Sequence, residues 1–453
     1  MVSSRPATIG KGGKRIWCYP VEINGPRLRV RTFLAAVLLL LFYSAPFYVW
    51  NEAPFIRLHF SKGFFFLFGQ PIAMAEMYHF VFLIILLVLI LFLSAALWGR
   101  IWCGYACPQT IFIEHILRRI EFYIEGPALH RKANDLKKIT ISKISKKTLK
   151  YFLFLIVCVS FSVTLVSYFM DPLIAWQFSD TTANLVTIIL TSLAMFNGTY
   201  WREQFCTLAC PYARIQSAFE DPNSKSFGYD ANRGEPRGKF KPDNSSAGDC
   251  IDCRLCVRVC PTSIDIRDGM NQLECLNCGR CADACDSIMI NLKRPKGLIR
   301  FDSETNLNLN AAFSKNVAPL RKHVLFYFIA IFTLCGYGIF EFIERKSVGV
   351  QIFAVGQTPY FQTGNRISNL LQIKLSNQSS KIQDLKIAIE NPVFRIDSPQ
   401  EAKAILPGET RILPFLVSFD PNSYDGIDTN ISVISQYSGE IIKIPRKFVK
   451  PGR

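Results

Sequence analysis

Apolar residues in this chain gather into five long runs: Thr32–Trp50, Tyr78–Trp98, Tyr151–Met170, Leu185–Tyr200 and His323–Phe342. Each holds some 16–21 largely uncharged residues, close to the roughly 20 that a helix needs to cross a hydrocarbon core. Each run therefore predicts a transmembrane helix. The fourth is the weakest, being short and interrupted by Thr and Asn, and a buried core helix is the alternative for any one of them. After the last run the period changes. Between about Arg345 and Arg453 apolar residues alternate with polar ones, as in Leu371–Leu375 and Leu385–Ile389. Turn residues interrupt the alternation at Pro407-Gly408-Glu409, Asp420-Pro421-Asn422-Ser423 and Ser438-Gly439. That spacing predicts an antiparallel β sandwich of about 100 residues. No cleavable signal peptide is apparent, because the polar N-terminal stretch is long and the first run lacks a small-residue cleavage site.

Composition fits the membrane reading. Half of the 453 residues are apolar and 19% are charged, against roughly 25% in ordinary soluble domains. The net charge of +17 follows a topological pattern. Lys and Arg crowd the N-terminal segment, the loop from Arg100 to Lys150 and the segment from Trp201 to Lys322. The loop after the first run has only Arg57 and Lys62, and Asp171 to Ala183 has neither residue type. Basic loops stay in the cytoplasm, so the N-terminus and the long segment are expected inside and the C-terminal tail outside. No basic recognition helix or aromatic platform supports nucleic-acid binding, and no Gly-rich phosphate loop follows a strand.

The cysteines carry the chemistry. All 15 precede Gly336, and eight fall between Asp249 and Asp286. They read Cys250-x2-Cys253-x2-Cys256-x3-Cys260-Pro261 and then Cys275-x2-Cys278-x2-Cys281-x3-Cys285. This is the bacterial two-cluster ferredoxin run, in which the fourth cysteine of each copy ligates the other cluster. Cys250, Cys253, Cys256 and Cys285 are assigned to one [4Fe–4S] cluster, and Cys275, Cys278, Cys281 and Cys260 to the second. Paired CxxC also suits zinc, but the doubled spacing favours the clusters. Short apolar strands such as Ser287–Asn291 are expected beside them. Asp286 stands where the first copy has Pro261, and is expected to shape the same turn less rigidly.

A second pattern is repeated. Cys103-x3-Cys107-Pro108 follows the second apolar run and Cys206-x3-Cys210-Pro211 follows the fourth. The two copies suggest an internal repeat of a two-span unit. Each Pro precedes an amphipathic helical pattern, Gln109–Tyr123 or Tyr212–Phe219, and suits the first helical position. Cys107 and Cys210 then sit near helix N-termini, where the dipole favours thiolate. Four thiols converging at the membrane face would bind a soft metal such as Cu(I) or relay electrons. The plainer alternative is that they are small packing residues. Cys18, Cys158 and Cys335 are isolated and read as packing residues.

These residues together resemble a known family. Trp102–Thr110 (WCGYACPQT), Arg202–Gln216 (REQFCTLACPYARIQ), Tyr229–Arg237 (YDANRGEPR), Asp249–Asp268 (DCIDCRLCVRVCPTSIDIRD) and Arg294–Arg300 (RPKGLIR) are similar to the CcoG/FixG (RdxA-like) family, accessory proteins of cbb3-type cytochrome c oxidase. The resemblance implies a multi-pass protein of the bacterial inner membrane, an immunoglobulin-like tail, and two [4Fe–4S] clusters held by the eight ferredoxin cysteines. It also implies reduction of Cu(II) to Cu(I) for oxidase assembly, with copper as substrate. Nothing in the bare sequence points to copper.

The expected architecture is a multi-domain membrane protein of five transmembrane α-helices, an α+β two-cluster ferredoxin domain and an all-β immunoglobulin-like sandwich. The expected boundaries are 1–31 for a basic cytoplasmic N-terminus and 32–200 for four spans with both CxxxCP motifs. A cytoplasmic segment follows over 201–322, with the ferredoxin domain at about 240–300, then a fifth span over 323–343 and a periplasmic domain over 344–453. The expected function is single-electron transfer from an unidentified cytoplasmic donor to a metal or thiol site at Cys103, Cys107, Cys206 and Cys210. Oxidase subunits or assembly factors are the expected partners, and homodimerisation is left open. Two other functions stay open: a quinol-linked respiratory subunit, and a non-redox assembly scaffold.

Overall fold

The computed structural model describes residues 8, 14–50, 53–59, 64–73, 78–238, 248–308, 321–344, 346–354, 360–363, 366–379, 381–397, 401–420, 429–437, 439–446 and 448. Among them, five helices are long and apolar enough to cross a membrane: Pro26–Phe47, Tyr78–Trp98, Ile141–Ser167, Thr181–Trp201 and Lys322–Glu341. Large apolar side chains such as Phe33, Leu40, Ile188 and Phe332 are exposed on them, as lipid-facing positions are. The third helix begins before the apolar run expected from Tyr151, because its basic first turns are held from outside. Lys143 Nζ donates to the carbonyl oxygens of Asn134 at 2.6 Å and Lys137 at 2.9 Å, and Lys147 pairs with Asp135 at 2.8 Å.

The chain divides into two compact units. One comprises Met1–Tyr43, Leu83–Thr164 and Phe178–Gly336; the other comprises Ser44–Phe82, Leu165–Gln177 and Tyr337–Arg453.

In the first unit the ferredoxin part is framed by strands Lys225–Tyr229 and Ile299–Ser303, paired antiparallel. Its two helices, Leu255–Arg258 and Arg280–Asn291, each start inside a cysteine loop. Phe227, Ile266, Ala282, Met289, Leu298 and Ile299 form the core beneath them. The two loops repeat one backbone path. Asp252 and Asn277, each two residues after a first cysteine, have φ of 50° and 51°; Arg254 and Gly279, each after a second cysteine, have φ of 55° and 74°.

Two expectations fail here. Ser287–Asn291 is not a strand but the last part of helix Arg280–Asn291. A five-residue apolar run fits either period, and the core contact of Ala282 and Met289 selects the helix. Nor does Asp286 make a turn. It lies inside that helix, its carboxylate accepting from the Gly297 N–H at 2.8 Å and pairing with Arg27 at 3.2 Å. The first copy does turn after Cys260, so Pro is accommodated there and would be disruptive at 286.

The second unit contains two antiparallel sheets near the C-terminus. One holds Phe394–Ile396, Thr410–Phe419, Arg366–Asn377 and Val348–Ala354 in that order, with Phe361–Thr363 also on Arg366–Asn377. The other orders Glu401–Ile405, Gln383–Ile389, Thr429–Ser435 and Ile441–Arg446. The expected alternation holds: Leu371, Ile373, Leu375, Leu385 and Ile387 point into a shared core with Phe415 and Val433. Of the expected turns, Gly408 has φ of 74° and Gly439 of 69°; Pro421, Asn422, Ser423 and Ser438 lie outside the described residues. The same unit has β structure where the sequence predicts only a loop between the first two spans. Ile56–His59, Phe64–Leu67 and Gln70–Ala73 form an antiparallel sheet. The last two strands are joined at Phe68 and Gly69, both with positive φ of 52° and 75°, as a type I′ hairpin requires. Arg57 ties it to Asp171 at 3.3 Å.

Candidate electron-transfer site

The eight ferredoxin cysteines are free thiols, and the fold gathers their two loops together. Cys285 is pushed up to about 12 by burial and then by the nearness of Cys256, Asp286, Cys250 and Cys253. Cys281 is pushed well above the ordinary thiol value by burial, then by Cys278, Cys275 and Cys260, with Cys256 the weakest influence. Cys285 thus lies near thiols of the first loop, and Cys281 near Cys260 of the first loop as well as Cys275 and Cys278 of its own. Cys275 rises to about 12 through burial, opposed by the backbone N–H of Asn277, which lies 3.4 Å from its sulfur. Cys260 is raised by burial and partly relieved by Thr262, whose hydroxyl is 3.4 Å from its sulfur.

These residues suit iron–sulfur clusters. Soft thiol donors are numerous, N–H and O–H groups stand ready to stabilise thiolate, and Cys256, Cys260, Cys275, Cys278 and Cys281 line one small cavity. Among the described residues no three Cys, His, Asp or Glu side chains close on a metal-ion spacing. Cluster binding would remove the proton from each buried thiol.

The CxxxCP motifs come together in the same unit. Cys103 is pushed up to about 12 by burial, then by Cys107, with Arg100 opposing and Cys210 and Glu220 adding. Cys206 is raised by burial, then by Cys107, Cys103 and Cys210. Cys107 and Cys210 thus lie near enough to Cys103 and Cys206 to raise both thiols, though among the described residues no three of these side chains close on a metal-ion spacing. Pro108 and Pro211 open their helices, with Cys107 and Cys210 as the residues before them. Cys103 donates to Gln216 Oε1 at 3.6 Å, and Gln216 Nε2 donates to the Gly99 carbonyl at 2.8 Å. A reciprocal amide pair links the repeats: Gln109 donates to Asn197 at 2.9 Å and Asn197 to Gln109 at 2.6 Å.

The second ferredoxin loop sits directly on the first CxxxCP motif. A Cβ on Gly104 would meet the Leu276 carbonyl oxygen at 2.6 Å. Asn277 bridges both parts, donating to the Trp98 carbonyl at 3.0 Å and accepting from the Phe227 N–H at 2.9 Å. Arg100 donates to the carbonyls of Leu273 and of Ala213, the latter at 2.7 Å, and pairs with Glu220 at 3.4 Å. Buried ions complete the seam. Glu114 pairs with Arg118 and, at 2.7 Å, with Arg280; Arg118 also reaches Glu203 at 3.2 Å. Burial alone would raise the Glu114 carboxyl, but Arg118 and Arg280 outweigh it and hold it down to about 2. Arg27 pairs with Asp283 at 3.1 Å on the other side.

None of these docking residues is singled out by the sequence; Arg27, Arg100 and Arg118 count there only as topological charge. The one sequence signal was Glu114 four residues before Arg118, a helical pair spacing. Cys18 is buried, as expected of packing, and its thiol is pushed up to about 11 by burial and Glu203 beside a bond from Ser263 and close to Cys260. Cys158 packs with Phe112, Leu117 and Phe154.

Comparison with known proteins agrees with this chemistry. Residues 201–304 match a family model described as a 4Fe-4S dicluster domain, residues 79–125 a 4Fe-4S binding domain, and residues 338–451 the IG-like fold at the C-terminus of FixG. The second match covers Cys103 and Cys107. The chain is 32% identical to protein RdxA of Cereibacter sphaeroides over 394 residues, 82% of each chain. It is 31% identical to the nitrogen fixation protein FixG of Rhizobium meliloti over 424 residues, 83% of this chain and 80% of that one. A crystal structure of a FixG-related protein from Vibrio parahaemolyticus is matched over 23% of this chain and 98% of that one, at 17% identity and a TM-score of 0.22.

Proposed function

The chain belongs to the FixG/RdxA family of iron–sulfur electron-transfer proteins, and from that premise we propose that it reduces Cu(II) to Cu(I) for assembly of a cbb3-type cytochrome c oxidase. Two [4Fe–4S] clusters, one held by Cys250, Cys253, Cys256 and Cys285 and one by Cys275, Cys278, Cys281 and Cys260, would supply single electrons. One observation carries the reading: the loop holding Cys275 and Cys278 rests on Gly104, the residue after Cys103. Electron transfer depends on that closeness and needs no acid–base pair. The Asn277 bridge and the Glu114 ion pairs fix the distance between the two parts. Cys103, Cys107, Cys206 and Cys210 receive the substrate copper. Their soft sulfurs favour the Cu(I) product, and one electron gained by Cu(II) completes the change.

The ferredoxin part lies in the cytoplasm of a bacterial inner-membrane protein and the sandwich in the periplasm. Lysine and arginine counts support this orientation. The outer sandwich docks oxidase subunits or assembly factors.

The test is anaerobic. Dithionite-reduced protein, desalted and mixed with Cu(II), is expected to form one Cu(I) per electron lost. Cys103→Ser with Cys206→Ser is expected to abolish this while iron and acid-labile sulfide stay unchanged. A protein that oxidises quinols and leaves Cu(II) untouched would overturn the copper reading in favour of a quinol-linked subunit. Undiminished oxidase assembly by protein lacking its clusters would favour a scaffold.

A further inference from the structure

Arg31 is fully buried, five residues into the first span. Its Nε donates to the Gly104 carbonyl at 2.8 Å, while among the described residues its Nη1 and Nη2 have no hydrogen-bond partner. A guanidinium taken out of water with an empty fork is costly, and an oxyanion offering two oxygens to that fork is its natural complement. Arg31 borders a cavity of about 60 Å³ that Glu22, Glu114, His115, Arg119 and Arg280 also line. The two carboxylates are already engaged elsewhere. Glu114 serves Arg118 and Arg280, and Glu22 pairs with Arg131 at 3.3 Å and accepts from the Ala128 N–H at 3.4 Å. Five arginines line this cavity against those two glutamates, so its charge is positive.

We propose that this cavity binds a phosphate group, carried by an anionic phospholipid headgroup or supplied as free inorganic phosphate. A space of about 60 Å³ has room for more than one water-sized group, and so for a small oxyanion. Its position at the start of a span places it at headgroup depth, where basic pockets between membrane helices take anionic lipids. Arg119, exposed beside the cavity, gives a second cation to an arriving phosphate. Because Arg31 also holds the Gly104 carbonyl, the bound group would steady the backbone beneath the second ferredoxin loop. The inference stands apart from the copper reading, since it concerns binding and not electron transfer.

The experiment uses the full, cluster-loaded chain in detergent, stripped of lipid. Its thermal unfolding is followed as phosphatidylglycerol, phosphatidylcholine or inorganic phosphate is added, and bound lipid is read by native mass spectrometry. A rise of several degrees with phosphatidylglycerol alone, with the lipid retained, assigns the headgroup source. A rise with inorganic phosphate as well assigns the free anion. Arg31→Lys keeps the charge but loses the fork, and is expected to weaken either response about tenfold. Should that variant fail to fold, Arg119→Gln serves in its place, with a smaller loss. Equal responses to both lipids, no response to any addition, or an unchanged response in the folded variant would overturn the proposal.

Discussion

Gly104 and Cys278 meet backbone against backbone: a Cβ on Gly104 would stand 3.0 Å from the Cys278 Cα. Only a residue without a side chain permits this approach. Gly104→Ala is expected to push the second ferredoxin loop off the CxxxCP segment, at about 1–3 kcal/mol as for other overpacked sites. The expected outcome is retained iron with electron delivery to Cu(II) slowed at least tenfold, measured by stopped-flow reoxidation of the reduced protein.

Glu114 is the acid-sensitive joint of the same seam. Its folded value of about 2 lies below the ordinary carboxylate value of 4.5. Its contribution is therefore complete above about 4.5 and is lost as pH falls from there through 2. Glu114→Gln leaves Arg280 buried without its carboxylate and Arg118 with Glu203 alone, and is expected to cost about 3–5 kcal/mol at neutral pH. Denaturant unfolding of wild type and variant measures this, and the gap is expected to shrink as pH drops below 4.5.

His115 acts in a neighbouring window. Burial first, then Arg31, lowers its folded value to about 4 from 6.5, with Glu114 opposing. The folded state resists protonation, so stability is expected to fall as pH drops from 6.5 to 4 and to level off below that. His115→Gln is expected to flatten that part of the stability profile.

Asp286→Pro would restore the residue that ends the first ferredoxin copy, yet it is expected to harm. Position 286 is interior to helix Arg280–Asn291, where Pro costs about 3 kcal/mol or more. Reduced iron content in Asp286→Pro, against normal content in Asp286→Asn, is the expected result.

The parts legible in the sequence were those written locally. Cysteine spacing is set within one loop and hydropathy within one helix, so both could be read without the fold. The Pro108 and Pro211 helix starts were legible for the same reason. What escaped was long-range. Arg100 finds Leu273, Asn277 finds Trp98 and Glu114 finds Arg280 across 173, 179 and 166 residues. No periodicity encodes such partners. Ser287–Asn291 misled because five residues are too few to separate helix from strand. The sheet of Ile56–Ala73 escaped because its aromatic run carries no alternation, and its turn signal is a single Phe68-Gly69 step.

The repeated backbone path in the two cysteine loops has a directional consequence. Gly279 is pressed against Phe227, which a Cβ would meet at 2.6 Å, whereas Arg254 at the matching position is 71% exposed and Cys253 beside it is exposed too. One half of a near-symmetric fold is left open to water while its twin is sealed against the membrane part. A donor arriving from water is therefore expected to touch the first loop and not the second, an asymmetry set by which of the two positions could keep a side chain.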